Sequence, residues 1–158
     1  MKQVQVAHAT DGRQRQLCSN NIRSMAGYSV NPLSKKLGLK EGQTVKLINP
    51  PLNYAVMIGD VVDRLIVDNE AERELDFIHL FTNSWSELEE ALPTLKAQIK
   101  RSGSIWVSWY KKSAKMATEL SEDLIREHAL AAGLVDVKVC AVDEQWSALK
   151  LVFRLTDR

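Results

Sequence analysis

The chain has 158 residues, a mass of 17.8 kDa and a formal net charge of +1, with 21 Lys and Arg against 20 Asp and Glu. That length favours one domain burying about 68–70% of its unfolded surface. The 45% hydrophobic content, 7 Gly and 4 Pro exclude a disordered, collagen-like or repetitive chain, no apolar run approaches the ~18 residues of a membrane span, and the balanced charge removes any bulk argument for nucleic acid.

From the N-terminus, residues 1–25 read as a polar arm with Lys2, Arg13, Arg15 and Arg23 against Asp11, and residues 26–158 as one domain. Cys18 and Cys140 lie far apart and form no C-x-x-C pair, which argues against a disulfide framework or a cysteine zinc site and for a reducing setting. No secretory stretch opens the sequence, so the expected location is the cytoplasm. Asn31, Pro32 and Gly38 supply cap, first-turn and stop signals for a short helix. Thr44–Asn49 reads as a strand broken by Pro50-Pro51, Leu52–Gly59 as two helical turns, and Leu65–Asp68 and Leu75–Phe81 as the second and third strands.

Ser84 and Glu87 form a capping box that starts a helix carrying Leu88, Leu92, Leu95 and Ile99 on one face. Pro93 is expected to kink or split that helix, Ser102-Gly103 to end it, and Ser104–Trp109 to form the fourth strand. Ser121 caps a further helix through Ala132, with Gly133 at its end. Leu134–Val142 and Ala148–Leu155, joined by a short connection, must pair as an antiparallel hairpin. Strand–helix alternation ending in a hairpin predicts an α/β three-layer, Rossmann-like fold with a mostly parallel six-stranded sheet, which resembles that of class I methyltransferases. Asn69–Glu74 is short for a parallel crossover, so it either runs extended beneath the sheet or joins a local hairpin.

In such a sheet ligands bind beyond the strand carboxyl ends. Nucleotide and S-adenosylmethionine sites use glycines after the first strand, because positive φ and close backbone approach let amides reach the ligand. Here that place holds Asn49-Pro50-Pro51-Leu52, and the prolines remove two donors. No G-x-G-x-x-G or P-loop occurs. Asn49-Pro50-Pro51 is similar to the Asn-Pro-Pro-aromatic motif of amino-group methyltransferases, but Leu52 breaks it. Asp68 stands where an acid often binds ribose hydroxyls, although a strand-end Asp is more often a turn former. His79 alternates with Phe77 and Phe81 and reads as a satisfied core imidazole; His8 and His128 show no ligand spacing, and no metal is expected. Lys111, Lys112, Ser113 and Lys115 follow a strand beside Trp106 and Trp109, where an anion is readily held, and the turn bearing Asp143, Glu144 and Trp146 is expected at the same edge.

Three stretches carry a family resemblance: Gly27-Tyr28-Ser29 with Pro32-Leu33 and Lys36-Leu37-Gly38; Trp106-Val107-Ser108-Trp109 with Lys111-Lys112-Ser113; and the run from Gly133 to Glu144 with Trp146-Ser147 and Leu149–Val152. They resemble, over about residues 26–155, the bacterial family known as domain of unknown function 3052. The resemblance implies a methyltransferase-like Rossmann fold in a cytosolic bacterial protein, and brings no activity from which a catalytic role could be transferred.

The expectation is a non-catalytic binding or interaction module without a cofactor. It would hold an anionic small molecule or an acidic protein partner at Lys111, Lys112, Ser113 and Trp109, with Asn49, Asn83 and Ser84 at the neighbouring strand ends. The alternatives are an S-adenosylmethionine-dependent methyltransferase with an aberrant loop, using Asp68, and an RNA-binding protein, which the net charge disfavours. The first strand should lie between the second and third, followed by the fourth, with the last inserted before the fifth.

Overall fold

The computed structural model describes residues 32–158. The polar arm, the Asn31 cap, His8, Cys18 and the Gly27-Tyr28-Ser29 stretch lie outside the described residues. In chain order the elements are α1 (Leu33–Leu37), β1 (Thr44–Ile48), α2 (Tyr54–Ile58), a 3-10 turn, β2 (Ile66–Val67), β3 (Leu75–Phe81), α3 (Trp85–Gln98), β4 (Ile99–Tyr110), α4 (Glu122–Ala131), β5 (Leu134–Ala141) and β6 (Trp146–Phe153).

One six-stranded sheet runs in the order β2-β1-β3-β4-β6-β5, as expected. Strands β1 to β4 are parallel, while β6 is antiparallel to both β4 and β5. Central β3 is buried on both faces, so its sequence is almost continuously apolar. Its residues divide between two cores. Ile78 and Leu80 pack with Leu88, Leu92 and Leu95 of α3 and Ile125 and Ala129 of α4. Phe77 and Phe81 pack on the opposite face with Leu33 and Leu37 of α1, Tyr54 and Ile58 of α2, and Trp106.

The helix starts follow their caps. Ser84 Oγ accepts the Glu87 amide at 3.3 Å, and Ser121 Oγ accepts the Leu124 amide at 3.3 Å. Two expectations about α3 need correction. The helix runs unbroken through Pro93, which sits on its exposed side, and it stops at Gln98 rather than at Ser102-Gly103. β4 then begins at Ile99, because Leu75 pairs with Ile99 while Phe77 pairs with Ser104, so Lys100 to Gly103 bulge out of register. A Cβ on Gly103 would lie 2.8 Å from the Asp76 carbonyl and 2.8 Å from Ile99 Cγ1, so this glycine serves close backbone approach inside a strand. Asp76 fastens the same corner: Oδ2 accepts the Thr44 amide at 2.9 Å, and Oδ1 pairs with Lys100 at 2.9 Å.

The link from β2 to β3 takes the extended route. Asp68 to Glu74 carry no helix and run back along β1, with Ala71 packed into the α3-side core. Asn69 Oδ1 accepts the Leu47 amide at 2.9 Å, and the Ala71 carbonyl accepts Lys46 Nζ at 3.3 Å. These bonds stand in for the packing a crossover helix would have given. Among the described residues no helix is long and apolar enough to cross a membrane.

Candidate functional site at the strand carboxyl ends

The carboxyl ends of β1, β2, β3 and β4 line one edge of the sheet. At the end of β1, Asn49 turns the chain with φ 58°, in the left-handed region, and its Nδ2 donates to the Phe81 carbonyl at 3.4 Å. Pro50 and Pro51 follow without amide hydrogens, and the Tyr54 amide is taken by the Pro51 carbonyl at 3.0 Å. α2 has only five residues, too short to present a helix dipole. This is not the glycine cradle that lets backbone amides and a helix start hold a nucleotide-like cofactor, so the residues present do not fit S-adenosylmethionine in that manner.

At the end of β2, Asp68 Oδ1 accepts the Glu70 amide at 3.1 Å, which makes this carboxylate a turn former. At the end of β3, Asn83 Oδ1 accepts the Tyr110 amide at 2.8 Å and its carbonyl accepts the Glu119 amide at 2.9 Å. Asn83 therefore clamps β3, β4 and the segment leading to α4. Ser84 is occupied as the α3 cap. Asn49, Asn83 and Ser84 thus shape this edge through bonds within the chain.

Beyond β4, the Lys111 amide donates to the Gln145 carbonyl at 2.8 Å, and Lys112 to Ala114 form a single 3-10 turn closed by Lys115 in the left-handed region at φ 56°. Lys112, Ser113 and Lys115 are exposed and Lys111 is half-buried. None of these lysines belongs to an ion pair among the described residues. Trp109 is placed differently from its expected stacking role: at 7% exposure its ring belongs to the α3-side core, because it points to the face opposite the loop's aromatic neighbours. Those neighbours are Tyr110 and Trp146, whose centroids lie 4.4 Å apart. The β5–β6 turn does reach the lysine loop through the Lys111–Gln145 bond, but Asp143 Oδ1 accepts the Gln145 and Trp146 amides at 2.8 and 2.9 Å and so organises its own turn.

The polar group that sequence reasoning did not assemble lies inside. His79 is fully buried between Tyr54 Oη, 2.9 Å from Nδ1, and Ser108 Oγ, 2.7 Å from Nε2, and it stacks on Phe81 at 4.2 Å. Burial pushes the imidazole down to about 3, so the ring is neutral, one nitrogen donating and the other accepting. Burial likewise raises the Tyr54 hydroxyl well above its ordinary range. The alternation around His79 marked it as interior; nothing local in the sequence marked Tyr54 as its partner, since the two meet only across α2 and β3. Among the described residues no three His, Cys, Asp or Glu side chains cluster as metal ligands. A shallow depression of about 300 Å³ lies between β1 and α3, lined by Lys46, Ile48, Glu87, Thr94 and Gln98.

This architecture, a mostly parallel sheet finished by an antiparallel hairpin, is the class I methyltransferase-like Rossmann fold. Similar solved structures share it. An S-adenosylmethionine-dependent methyltransferase from Aquifex aeolicus aligns with TM-score 0.52 at 19% identity, over 74% of this chain and 85% of that one. A TehB-like S-adenosylmethionine-dependent methyltransferase from Corynebacterium glutamicum gives 0.51 at 11%, over 89% and 97%. The Burkholderia thailandensis 1,6-didemethyltoxoflavin-N1-methyltransferase, solved with S-adenosylhomocysteine, gives 0.51 at 13%, over 88% and 85%. At these identities the likeness is one of fold. No curated protein sequence matches the chain. The chain belongs to DUF3052, described as a protein of unknown function, whose sequence profile matches residues 34–155.

Proposed function

We propose that this chain is a non-catalytic binding module on a methyltransferase-like fold, holding an anionic small molecule or an acidic protein surface at the carboxyl end of β4 through Lys111, Lys112 and Ser113. One contrast supports the reading most. The end of β1, where related folds take their cofactor, offers Asn49, Pro50 and Pro51 and no amide cradle, whereas the end of β4 offers three lysines in no ion pair among the described residues. Lysine ammonium groups are strongly hydrated point charges on flexible stems, suited to a concentrated anion rather than to planar bidentate recognition. Asn49 and Asn83 support the edge by tying neighbouring strand ends together, and Ser84 by capping α3 there.

The rival reading is an S-adenosylmethionine-dependent methyltransferase, which draws on the strand order and on the exposed carboxylate of Asp68 at the end of β2. Amide NMR spectra of the 15N-labelled chain separate the two. Inorganic phosphate and a short polyglutamate peptide should move the amides of residues 111–115, with the response shrinking as salt rises. Saturable shifts at Asn49, Leu52, Asn53 and Asp68 on adding S-adenosylmethionine, with none at 111–115 from either anion, would reverse the choice.

A further inference from the structure

A second group of lysines lies away from the strand ends, on the sheet face that α1 covers. Lys138 of β5 and Lys150 of β6 are register partners, side by side across two hydrogen-bonded strands. Directly opposed like charges destabilise a strand pair. Lys150 also stands opposite Trp106 in β4, four positions before Tyr110, so it lies in mid-sheet. Lys138 Nζ donates to the Lys36 carbonyl at 2.9 Å, and a Cβ on Gly38 would lie 4.0 Å from Lys150 Nζ, which places both ammonium groups against the end of α1. Lys36 and Lys40 add two further positive charges there. Burial, together with the charges of Lys138 and Lys40, pushes the Lys150 ammonium down from its ordinary value. None of the four lysines belongs to an ion pair among the described residues.

We propose that Lys36, Lys40, Lys138 and Lys150 form a binding site for a small, multiply charged phosphate compound of the diphosphate class. Four point charges without a guanidinium fork suit a compact polyanion. Trp106, the ring directly opposite Lys150, is fully buried and its Nε1 donates to the Leu37 carbonyl at 3.0 Å, so no base can stack on it beside these lysines, which favours the phosphate group over single-stranded nucleic acid. The arrangement is uneconomic without an anion and self-consistent with one. The site is separate from Lys111 and Lys112.

The test is thermal unfolding of the full chain with inorganic pyrophosphate against sodium chloride of equal ionic strength. Pyrophosphate should raise the midpoint of the wild type beyond the salt control. The paired substitution Lys138→Gln with Lys150→Met should raise the midpoint in anion-free, low-salt buffer, by relieving repulsion, and weaken the apparent pyrophosphate affinity at least tenfold. Lys40→Gln, at an exposed position, should weaken the same response several-fold with folding intact. No pyrophosphate effect beyond salt in the wild type overturns the proposal. So does a paired variant that melts lower in anion-free buffer yet still responds, which would make the lysines a fastening for α1. A response lost on Lys111→Ala with Lys112→Ala, and kept by the Lys138 and Lys150 variant, would overturn it while leaving the strand-end reading standing.

Discussion

His79 joins two layers of the molecule at a single residue. Its imidazole links Tyr54 of α2 to Ser108 of β4, and its surroundings, Phe77, Phe81 and Trp106, bring no charge to the ring. Because burial holds the folded ring down to about 3 while an unfolded imidazole titrates near 6.5, only the unfolded chain takes up this proton between those values. Stability from this residue is therefore complete above about pH 6.5 and declines as pH falls toward 3, by at most about 1.4 kcal/mol per pH unit. Urea unfolding at pH 7, 6, 5 and 4 should show that slope. His79→Gln should be less stable at pH 7, since Tyr54 and Ser108 lose their bridging ring, and its pH dependence over the range should be shallower. An equal slope in the variant would assign the proton to another group. The lysines after β4 behave oppositely at this scale: Lys111→Ala with Lys112→Ala should change stability by less than about 0.5 kcal/mol, as surface substitutions usually do, while abolishing the phosphate-induced shifts at residues 111–115. A large loss of stability would mean that their stems pack structurally.

The elements follow their local signals except where two chain segments press on each other. Capping at Ser84 and Ser121 needs only neighbours, and both helices begin where the sequence places them. Ser102-Gly103 has the composition of a helix stop, yet it lies in the bulge of β4, because Asp76 on β3 draws Lys100 and the backbone of β3 approaches Gly103. Gly103→Ala should accordingly cost about 1–3 kcal/mol, since the obstructing Asp76 carbonyl is backbone and cannot swing away. Chemical denaturation measures this directly; an alanine tolerated within error would show that the bulge is free to widen. Pro93 reads as a helix breaker but sits on the exposed side of α3, where packing of Leu88, Leu92 and Leu95 carries the helix past one missing hydrogen bond.

For the whole molecule, the fold is similar to that of solved S-adenosylmethionine-dependent methyltransferases, while the β1 end offers Asn49, Pro50 and Pro51 in place of a glycine cradle. S-adenosylmethionine at millimolar concentration should therefore leave the unfolding midpoint unchanged. A ligand at 100 times its dissociation constant would stabilise the fold by about 2.7 kcal/mol, an effect a melting curve cannot miss. A clear rise with S-adenosylmethionine, absent with adenosine, would restore the methyltransferase reading and direct attention to Asp68. The seven residues from Asp68 to Glu74 replace a longer crossover, and their bonds to Lys46 and Leu47 are what allow so short a link to return a parallel strand to the sheet.

What the sequence determined by itself was the set of elements with local causes: the strand segments apart from the bulged start of β4, the two capped helices, the closing hairpin and, through Pro50 and Pro51, the missing amide donors after β1. These depend on propensity, capping and covalent geometry, which neighbouring residues settle. The tertiary structure decided everything that needs two distant segments at once. It turned Asn83 into a clamp between β3 and β4, withdrew Trp109 into the core, joined Tyr54 and Ser108 across His79, and set Lys138 beside Lys150. The physical reason is that hydrogen-bond partners and burial are properties of packed faces, and sequence periodicity shows which face a residue occupies without showing what it meets there.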